Sequence, residues 1–269
     1  MAAEQRRTNR MEREMELLWG LDRSEPRRGP KPGLSRGSVV AAAVALADAE
    51  GLEAVSMQRV AKELGYTTMS LYRYVDSKED MLALMGDAVM DVEPPAPRED
   101  GDWRAGVEEW AHGVTNVYRL HPWSVYLPLS GPPSGPNGLR WMESGLRELV
   151  ASGLETGPAV QILTMLSAAA RETLRIELEM GRAARETGST MADIGRDYST
   201  GLRRVVTEER FPTIARLLRE GALEEEPPPG SADGVAGPVD DMHFAVRRLL
   251  DGIEAYVERR RAAGAPERD

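Results

Sequence analysis

The segment GYTTMSLYRYVDSKEDM, residues Gly65–Met81, concentrates aromatic and hydroxyl side chains in a few positions. Residues 67–75 have the composition of a β-strand. The flanks favour a helix instead, because Gly65 is suited to end one helix and Ser77 is suited to begin another. We therefore predict a short helix over residues 68–75, between two longer helices.

Two further helices are predicted upstream, where apolar residues recur at helical spacing. The first follows Ser35 or Ser38, either of which can cap it, and stops at Gly51. The second follows Ser56 and ends at Gly65. Together with the short helix, they form a three-helix unit.

The remainder of the chain also has helical periodicity, and it contains no alternation long enough for a sheet. A helix begins at Ser77, where Asp80 has capping-box spacing with aspartate in place of glutamate. Further helices are expected over residues 102–120, 138–150, 158–184, 190–219 and 241–261. The connection EEEPPPGSADGVAGP, residues 224–238, is predicted to be flexible. The predicted fold class is all-α.

Composition limits the kind of protein this chain can be. Its 269 residues suit one large or two modest domains, and the lack of cysteine excludes a disulfide framework and thiolate metal sites. No apolar run approaches the roughly 20 residues needed to cross a bilayer. The N-terminus also lacks the apolar stretch of a signal peptide. We expect a cytoplasmic protein with no membrane partner.

Charge is distributed unevenly along the chain. The formal net charge of −10 argues against indiscriminate binding of nucleic acid. Residues 27–79 contain eight Lys or Arg and six Asp or Glu, whereas residues 80–269 contain 21 and 32. A near-neutral first part joined to an acidic remainder suggests two separate roles in one chain.

The second helix and the short helix fit a helix-turn-helix. Ala61 is small where two helices must approach closely, and Gly65 lies at the turn, where a positive φ is easiest for glycine. The inward positions of the two crossing helices are apolar: Val60, Leu64, Leu71 and Val75. This pattern indicates DNA binding.

The two faces of the short helix follow from its periodicity. Leu71 and Val75 are four residues apart and point into the small core. Thr68, Met69 and Tyr72 then share the opposite face, which would enter a major groove. The alternative, a helix packed against another domain, would not leave tyrosine and arginine side chains facing outward.

Polar side chains around this face suit nucleic acid. Tyr72 and Tyr74 can pack on thymine methyl groups while their hydroxyls reach phosphates, and Ser70 can bond a base edge or a phosphate. Arg73 and Lys78 flank the face and suit backbone phosphates. Which tyrosine reads a base stays open; we favour Tyr72.

Two stretches of the sequence resemble a known family. Residues 34–85, and above all the run LYRYVDSKEDML at Leu71–Leu82, look like the DNA-binding domain of the TetR family of one-component transcriptional regulators. The stretch HPWSVYLPLSGPPSGPNGLRWMESGL, His121–Leu146, resembles the tetracycline-repressor-type C-terminal domain found in actinobacterial regulators of antibiotic export. The resemblance covers most of residues 27–260.

The resemblance implies an all-helical homodimer that binds a palindromic double-stranded DNA operator, usually as a repressor. A small molecule in the C-terminal core would shift the helix beginning at Ser77. This shift would move apart the helix-turn-helix domains of the two subunits, which we call the reading heads. By position in the family motif, the DNA-contacting residues are Gln58, Thr67, Thr68, Met69, Ser70, Tyr72, Arg73, Tyr74 and Lys78. In some relatives a basic N-terminal extension reaches the minor groove, a place suited to Arg27, Arg28 and Lys31.

The expected organisation has three parts. Residues 1–34 form a flexible basic arm, for which a solvated tail without a DNA role is the alternative. Residues 35–80 form the helix-turn-helix domain, and residues 81–262 form the domain for ligand binding and dimerisation. Apolar residues almost all round the long helix from Pro158, and a stripe on the last helix, favour a dimer over a thick monomeric core.

An effector pocket should be mostly apolar with a few convergent polar groups. The candidates are Met85, Trp110, Trp123, Tyr126, Trp141, Met142 and Met165, with Arg171, Glu172 or Arg175 as polar anchors. Each of these could instead belong to the core or the surface, and Arg171 with Glu172 could form a salt bridge. The expected effector is an antibiotic-like compound or aromatic natural product, by analogy with the family.

No metal or other cofactor is expected. The tetracycline repressor holds a magnesium–drug chelate through histidines, but His112, His121 and His243 are scattered here. His121 lies at a predicted helix end, where an imidazole favours the negative end of the dipole. An enzyme is disfavoured, because the chain has no phosphate-binding glycine loop, no GxSxG motif and no histidine–carboxylate cluster.

The sequence therefore predicts a ligand-responsive transcriptional regulator, preferentially a repressor. An activator or a ligand-independent regulator of the same fold is the alternative. A DNA-packing protein would need a much more basic surface.

Overall fold

The computed structural model describes residues 11–21, 34–128, 131–221, 223 and 239–264. Every regular element in these ranges is a helix, as the periodicity predicts. The connection expected to be flexible, residues 224–238, lies outside the described residues. In the part of the chain that the structure describes, no helix is long and apolar enough to cross a membrane.

The chain divides into two compact units. The first takes in the described residues up to Arg171 and those from Leu250 onward; the second is Glu172–Leu249. The first unit begins with α1 at residues 11–18, α2 at Arg36–Glu50, α3 at Met57–Glu63, α4 at Thr68–Leu71 and α5 at Lys78–Ala88. A 3₁₀ turn, Leu52–Ala54, connects α2 to α3.

Side-chain caps fix the ends of α2 and α3, as predicted. Ser35 Oγ accepts from the backbone N–H of Ser38 at 3.1 Å, and Ser38 Oγ accepts from that of Ser35 at 2.9 Å. The pair makes a full capping box, and Gly51 ends α2 with a φ of 87°. Ser56 caps α3 by accepting from the N–H of Arg59 at 3.2 Å. Each such cap is worth about 1 kcal/mol.

The capping box expected at the start of α5 is half formed. Ser77 Oγ accepts from the backbone N–H of Asp80 at 3.0 Å, as predicted. The reciprocal bond is replaced, because the Asp80 carboxylate accepts from Arg13 Nη2 of α1 at 3.1 Å. A long-range partner therefore takes a side chain that the local pattern assigned to the cap.

α4 is shorter than predicted. Regular α-helix covers Thr68–Leu71 rather than residues 68–75. Beyond it the chain tightens, since the N–H of Tyr74 donates to Leu71 O at 2.8 Å, only three residues back. The N–H of Val75 donates to the same carbonyl at 3.0 Å, which still turns Val75 inward, and its side chain is fully buried.

A small apolar core lies among α2–α5. Its fully or almost fully buried side chains are Val39, Ala43, Leu46, Val55, Val60, Leu71, Val75, Met81 and Met85. Of the inward positions predicted for the helix-turn-helix, Val60, Leu71 and Val75 are buried and Leu64 is half-buried. Burying each large apolar side chain contributes about 1.5–3 kcal/mol.

The first unit continues through α6 and α7. Their bounds are Trp103–Leu120 for α6, Pro136–Ala151 for α7 and Pro122–Tyr126 for the 3₁₀ turn that follows α6, called the 122–126 turn below. Glycines allow these helices to pack tightly: a Cβ on Gly113 would lie 2.7 Å from the Trp141 ring. A Cβ on Gly145 would lie 2.5 Å from Leu163, well inside contact distance.

Two long helices extend through both units: α8, Thr156–Thr187, and α11, Val239–Gly264. The apolar stripe predicted on the last helix is confirmed, with Val246, Leu250, Ile253 and Val257 buried and Leu249 half-buried. Within the first unit, Arg104 of α6 pairs with Asp251 at 2.5 Å and with Glu254 at 3.0 Å, which attaches α6 to α11.

The second unit adds α9, Met191–Leu202, and α10, Pro212–Glu220. Thr190 and Asp193 form a capping box at the start of α9. Hydrogen bonds from the Thr190 hydroxyl and backbone hold the pKa of Asp193 down to about 2, so that its carboxylate stays ionised at the helix N-terminus. α10 ends at Gly221, in the left-handed conformation.

Candidate DNA-binding surface and effector-binding region

The turn between α3 and α4 has the geometry that the sequence predicts. Gly65 has a φ of 74°, the left-handed region that favours glycine. The N–H of Tyr66 donates to Ala61 O at 2.9 Å, which closes the end of α3. Ala61 itself is only 1% exposed, consistent with its place between crossing helices. The arrangement is a helix-turn-helix.

The outer face of α4 exposes large side chains. Met69 is 74% exposed and Tyr72 is 43% exposed, whereas Leu71 between them is fully buried. Hydroxyls lie beside them, with Thr67 Oγ1 and Ser70 Oγ 3.0 Å apart. An apolar thioether, a phenol and two hydroxyls together offer the kinds of contact that read thymine methyls, base edges and phosphates.

The two tyrosines that follow Leu71 have different surroundings. Tyr72 is exposed, whereas Tyr74 is half-buried. The carbonyl of Tyr74 accepts from Arg36 Nε at 3.3 Å, which attaches the turn after α4 to the start of α2. The exposure of Tyr72 supports it as the tyrosine that reaches a base, and this assignment stays a prediction.

The remaining predicted DNA contacts are exposed or half-buried. Gln58 near the start of α3, Arg73 after α4 and Lys78 at the start of α5 are exposed, and Thr68 is half-buried. Arg59 is engaged within the fold, because it pairs with Glu50 at 2.5 Å and with Glu63 at 3.3 Å. The hydrogen bond to Glu63 and the charge of Glu50 raise the pKa of Arg59 above its ordinary value.

The arm predicted over residues 1–34 contains a helix. Residues 11–18 form α1, in the stretch RMEREMELLWGL that predicts a short helix with Met15, Leu18 and Trp19 on one side. The structure buries Leu17, at 7% exposed, and leaves Met15 and Trp19 exposed. The flexibility expected of the arm stays a prediction. Arg27, Arg28 and Lys31 lie outside the described residues, so their minor-groove role stays a prediction.

Two of the tryptophans proposed for the pocket, Trp110 and Trp141, hold helices together. The indole N–H of Trp110 on α6 donates to Trp141 O on α7 at 2.8 Å. Trp141 in turn donates to the carbonyls of Met90 and Val92, after α5, at 3.1 and 3.2 Å. Both rings are almost fully buried, so each has a structural role whether or not an effector also touches it.

The other apolar pocket candidates differ widely in burial. Met85 on α5 is fully buried, and Met142 on α7 is half-buried. Tyr126 in the 122–126 turn is 44% exposed and Met165 on α8 is 49% exposed in a single chain. Their part in effector binding stays a prediction.

The arginine candidates also have partners. Arg171 on α8 donates to Val125 O at 2.7 Å and to Leu127 O at 2.5 Å, so it holds the C-terminal end of the 122–126 turn. Arg175 instead forms ion pairs with Glu172 at 2.5 Å and Glu179 at 2.6 Å. The hydrogen bond and charge of Glu172 raise the pKa of Arg175 above its ordinary value.

Asp48, near the end of α2, is a residue that the sequence reasoning missed. Its carboxylate accepts from the Trp123 indole at 2.6 Å and lies 2.8 Å from His121 Nδ1. The imidazole of His121 therefore bonds Asp48 and does not simply cap α6, which corrects the interpretation of this histidine. Asp48 attaches the helix-turn-helix to the segment that follows α6.

Asp87, in the last turn of α5, makes a second attachment that was missed. It accepts from the N–H of Gly138 at 2.9 Å, in the first turn of α7, and its own carbonyl accepts from Asn137 Nδ2 at 3.1 Å. A carboxylate at a helix N-terminus is favourable. Desolvation nevertheless raises the pKa of Asp87 above its ordinary value, against the lowering effect of the two backbone N–H groups.

Among the residues that the structure describes, no group of three or more histidine, aspartate or glutamate side chains could hold a metal ion. The side chain of His243 lies outside that set.

Comparison with known proteins decides the family. Residues 39–85 match the family described as "Bacterial regulatory proteins, tetR family". Residues 94–257 match the one described as "Tetracyclin repressor-like, C-terminal domain". The chain is also 40% identical over 255 residues to the HTH-type transcriptional repressor DrrR1 of Streptomyces coeruleorubidus, an overlap that covers 94% of this chain and 89% of DrrR1.

The chain belongs to the TetR family.

Solved TetR-family structures share its fold. Apo ActR from Streptomyces coelicolor has a TM-score of 0.66 and 25% identity, covering 86% of this chain and 99% of ActR. The complex of ActR with actinorhodin has the same TM-score and 26% identity, covering 84% of this chain and 99% of ActR. A helix-turn-helix followed by a helical C-terminal domain is thus the architecture of relatives crystallised with and without a ligand.

TetR-family membership establishes a DNA-binding transcriptional regulator whose C-terminal domain belongs to the ligand-responsive type. The family consists of regulators, which are not enzymes. That the outer face of α4 contacts DNA stays a prediction.

Proposed function

We propose that this TetR-family protein is a repressor that binds a palindromic operator as a homodimer and leaves it when a small molecule binds. One observation carries the proposal: α4 buries Leu71 and exposes Met69 and Tyr72 on the face that a major groove would receive. The 40% identity to a transcriptional repressor favours repression. Residues 35–80 would form the reading head, and residues 81–262 the domain for effector binding and dimerisation.

The proposed contacts to DNA divide by their chemistry. Tyr72 and Met69 would reach base edges and thymine methyls, whereas Arg73 and Lys78 would grip phosphates. Gln58, Thr67, Thr68, Ser70 and Tyr74 would complete the surface. An arm containing Arg27, Arg28 and Lys31 would add minor-groove and counterion contributions.

Dimerisation is supported by apolar side chains that a single chain leaves exposed. On α8 these are Val160, Met165, Ile176 and Met180, each between 38% and 49% exposed. A single-chain core would have covered them, so a symmetric partner helix is the simplest occupant. Two-fold symmetry also places two reading heads on half-sites about one helical turn of DNA apart.

The effector would be an antibiotic-like compound or aromatic natural product. The aromatic and thioether side chains between α5 and α8 suit a large flat molecule. ActR, a similar structure, has been crystallised with actinorhodin, which makes actinorhodin a reasonable first probe. Arg171 could redirect its donors from the 122–126 turn toward an acceptor on such a ligand, and this would loosen the turn.

Release of DNA would pass through the two attachments described above. Asp48 connects α2 to Trp123, and Asp87 connects α5 to the first turn of α7. Any effector that moves the 122–126 turn or α7 must therefore shift or break contacts to α2 of the reading head or to α5, the helix that follows the reading head. The effector would bind the DNA-released arrangement more tightly than the DNA-bound one, and this difference in affinity would drive release.

An activator, or a regulator that needs no ligand, is the alternative. A reporter gene placed behind the operator separates them: deletion of the regulator raises expression for a repressor and lowers it for an activator. We also propose that the protein acts in the cytoplasm, where its DNA lies.

The test begins with genomic footprinting to find the operator. A duplex carrying that site should bind with nanomolar affinity and at least about 10³-fold more tightly than a scrambled duplex of the same composition. Equal affinity for the two duplexes would refute sequence-specific regulation. Actinorhodin added to the complex should release DNA, and a panel of other aromatic compounds tests the effector class if actinorhodin does not.

A further inference from the structure

The helix α1 precedes both matched family segments, 39–85 and 94–257. It nevertheless packs on the protein: Leu17 is 7% exposed, and three polar residues of residues 11–21 bond to distant parts of the chain. These partners belong to the reading head on one side and to the turn before α7 on the other. The position of α1 raises the question of what it holds together.

On the side of the reading head, α1 grips the junction between α4 and α5. Arg13 pairs with Asp80 at 3.1 Å and with Asp76 at 3.6 Å. The carbonyl of Leu17 accepts from Arg36 Nη1 at 2.9 Å, and Arg36 Nε donates to the carbonyl of Tyr74, in the tight turn after α4. Arg36 thus bridges α1 to the turn after α4, while Arg13 reaches the start of α5.

On the other side, α1 and the residues that follow it reach Ser134. The Trp19 indole donates to Ser134 O at 2.9 Å, and Ser134 Oγ donates to Glu14 at 3.2 Å. Ser134 lies just before α7, whose first turn is attached to Asp87 of α5. The start of α7 is therefore held from two directions, by α5 and by α1.

Charge gives Arg13 a second role. Asp76 and Asp80 flank Lys78, a predicted phosphate contact, and negative charge there opposes the approach of DNA. The Arg13 guanidinium adds a positive charge 3.1 Å from Asp80 and 3.6 Å from Asp76. Arg13 is 63% exposed, so each ion pair alone is weak, and the anchoring depends on the set of contacts together with buried Leu17.

We propose that residues 11–21 are a strap that fixes the reading head relative to the start of α7 and passes movement of α7 to the DNA-binding surface. The expected effect of the strap on operator binding rests on the proposed function. The claim that the strap fixes the reading head relative to α7 rests on the contacts alone. It links the reading head to the C-terminal domain in addition to the Asp48 attachment, and it holds the start of α7 in addition to Asp87. Energetic coupling through such packed elements typically amounts to a few-fold to tens-fold in affinity.

The test uses the full chain with the double substitution Arg13→Gln and Trp19→Phe, which removes one charge and one donor but keeps similar volumes. The matched control is Leu21→Ala, in the same segment, whose side chain is 76% exposed. Hydrogen exchange of peptides 76–82 and 134–140 is measured in the free protein. We expect exchange in both peptides to become several-fold faster in the double variant and to stay unchanged in the control.

Operator binding and release are then measured on the same proteins. The double variant should bind the footprinted operator about 2- to 30-fold more weakly, and actinorhodin should release it less completely. Unchanged exchange in both peptides would overturn the strap. Faster exchange with unchanged operator affinity and release would show that α1 packs on the head and α7 without affecting DNA binding. This result would also overturn the proposal.

Failure of the proposed function leaves a different signature. If the wild-type chain binds no operator, the regulator proposal falls, while the exchange data still decide whether α1 holds the head to α7, because they need no DNA. The single substitution Trp19→Phe serves if the double variant loses cooperative unfolding. It removes only the bond to Ser134, and faster exchange confined to peptide 134–140 is then the expected result.

Discussion

The Trp123 indole donates to the Asp48 carboxylate across 2.6 Å, although 75 positions separate the two residues in sequence. The same carboxylate oxygen lies 2.8 Å from His121 Nδ1. Two rings from the segment after α6 therefore meet one oxygen on the first helix of the reading head. This bond fixes the reading head to the domain proposed to sense the effector, and its loss should be measurable.

Replacing Trp123 with Phe removes the donor but keeps an aromatic ring. We expect the free energy of unfolding to fall by about 1.5–3 kcal/mol, since the bond involves a charged acceptor in a partly buried place. Urea titration measures this as a lower midpoint at unchanged slope. Trp103→Phe is the control, because Trp103 is half-buried at the start of α6. An equal loss in both variants would contradict a specific role for the Asp48 bond.

Replacing Tyr72 with Ala should weaken operator binding by roughly 1–3 kcal/mol while the dimer stays folded. Tyr72→Phe separates the ring from the hydroxyl: affinity that returns to the wild-type value assigns the ring to a thymine methyl. Gel-shift titration measures both. Tyr198→Ala, at a tyrosine of α9 that is 59% exposed, is the control. Unchanged affinity in Tyr72→Ala would show that the groove-facing side of α4 has been assigned wrongly.

Neutralising the arm at Arg27, Arg28 and Lys31 with glutamine should flatten the salt dependence of operator binding. Each lost phosphate contact lowers the slope of log K against log salt by about 0.9. Deleting residues 1–33 is a less clean test than the sequence suggests, because it also removes α1.

The control for the arm keeps the same change in charge. It places glutamine at three exposed arginines of the second unit, Arg182, Arg216 and Arg219. Its salt slope should match the wild type. A full slope in the arm variant as well would mean that the arm is only a tail.

Asp87→Asn should change how stability depends on pH. Burial raises the pKa of Asp87, so in the folded chain the carboxyl holds its proton to higher pH than in the unfolded chain, where the value is about 3.8. Stability from this group is present below 3.8 and is lost as pH rises through the raised value. The variant cannot titrate there.

The stability of wild type relative to Asp87→Asn should therefore fall as pH rises across that window. Urea titrations at several pH values measure the difference. Asp91→Asn, just beyond α5, is the control, and a difference that is flat or rises with pH would contradict the assignment.

Local features of this fold could be predicted because their causes are local. Ser35, Ser56 and Ser77 cap helices through bonds to residues three positions on, and Gly65 turns the chain through its own φ. Burial of Leu71 and Val75 follows from a spacing of four. Each of these features depends on residues within about four positions in the sequence, and sequence patterns describe neighbours at that distance.

The long-range attachments made by Asp48 and Asp87 could not be predicted in the same way. Asp48 bonds Trp123 and Asp87 bonds Gly138 across 75 and 51 positions, and an acidic residue on a helix resembles any solvated one. Tertiary contacts also differ from what local patterns predict, since the Asp80 carboxylate accepts from Arg13 of α1 instead of completing the capping box. α4 is shorter than predicted because the backbone tightens after Leu71, where the N–H of Tyr74 donates to a carbonyl only three residues back.

The indole contacts have an optical consequence. Three of the five tryptophans sit at junctions: Trp19 at the strap, Trp123 beside Asp48, and Trp141 against the chain after α5. Indole emission shifts with the polarity and bonding around the ring, so movement at any of these junctions alters the intrinsic fluorescence. Tryptophan fluorescence can therefore follow the proposed movement without a label. Because the chain lacks cysteine, one cysteine introduced by substitution would give a single attachment site for a dye.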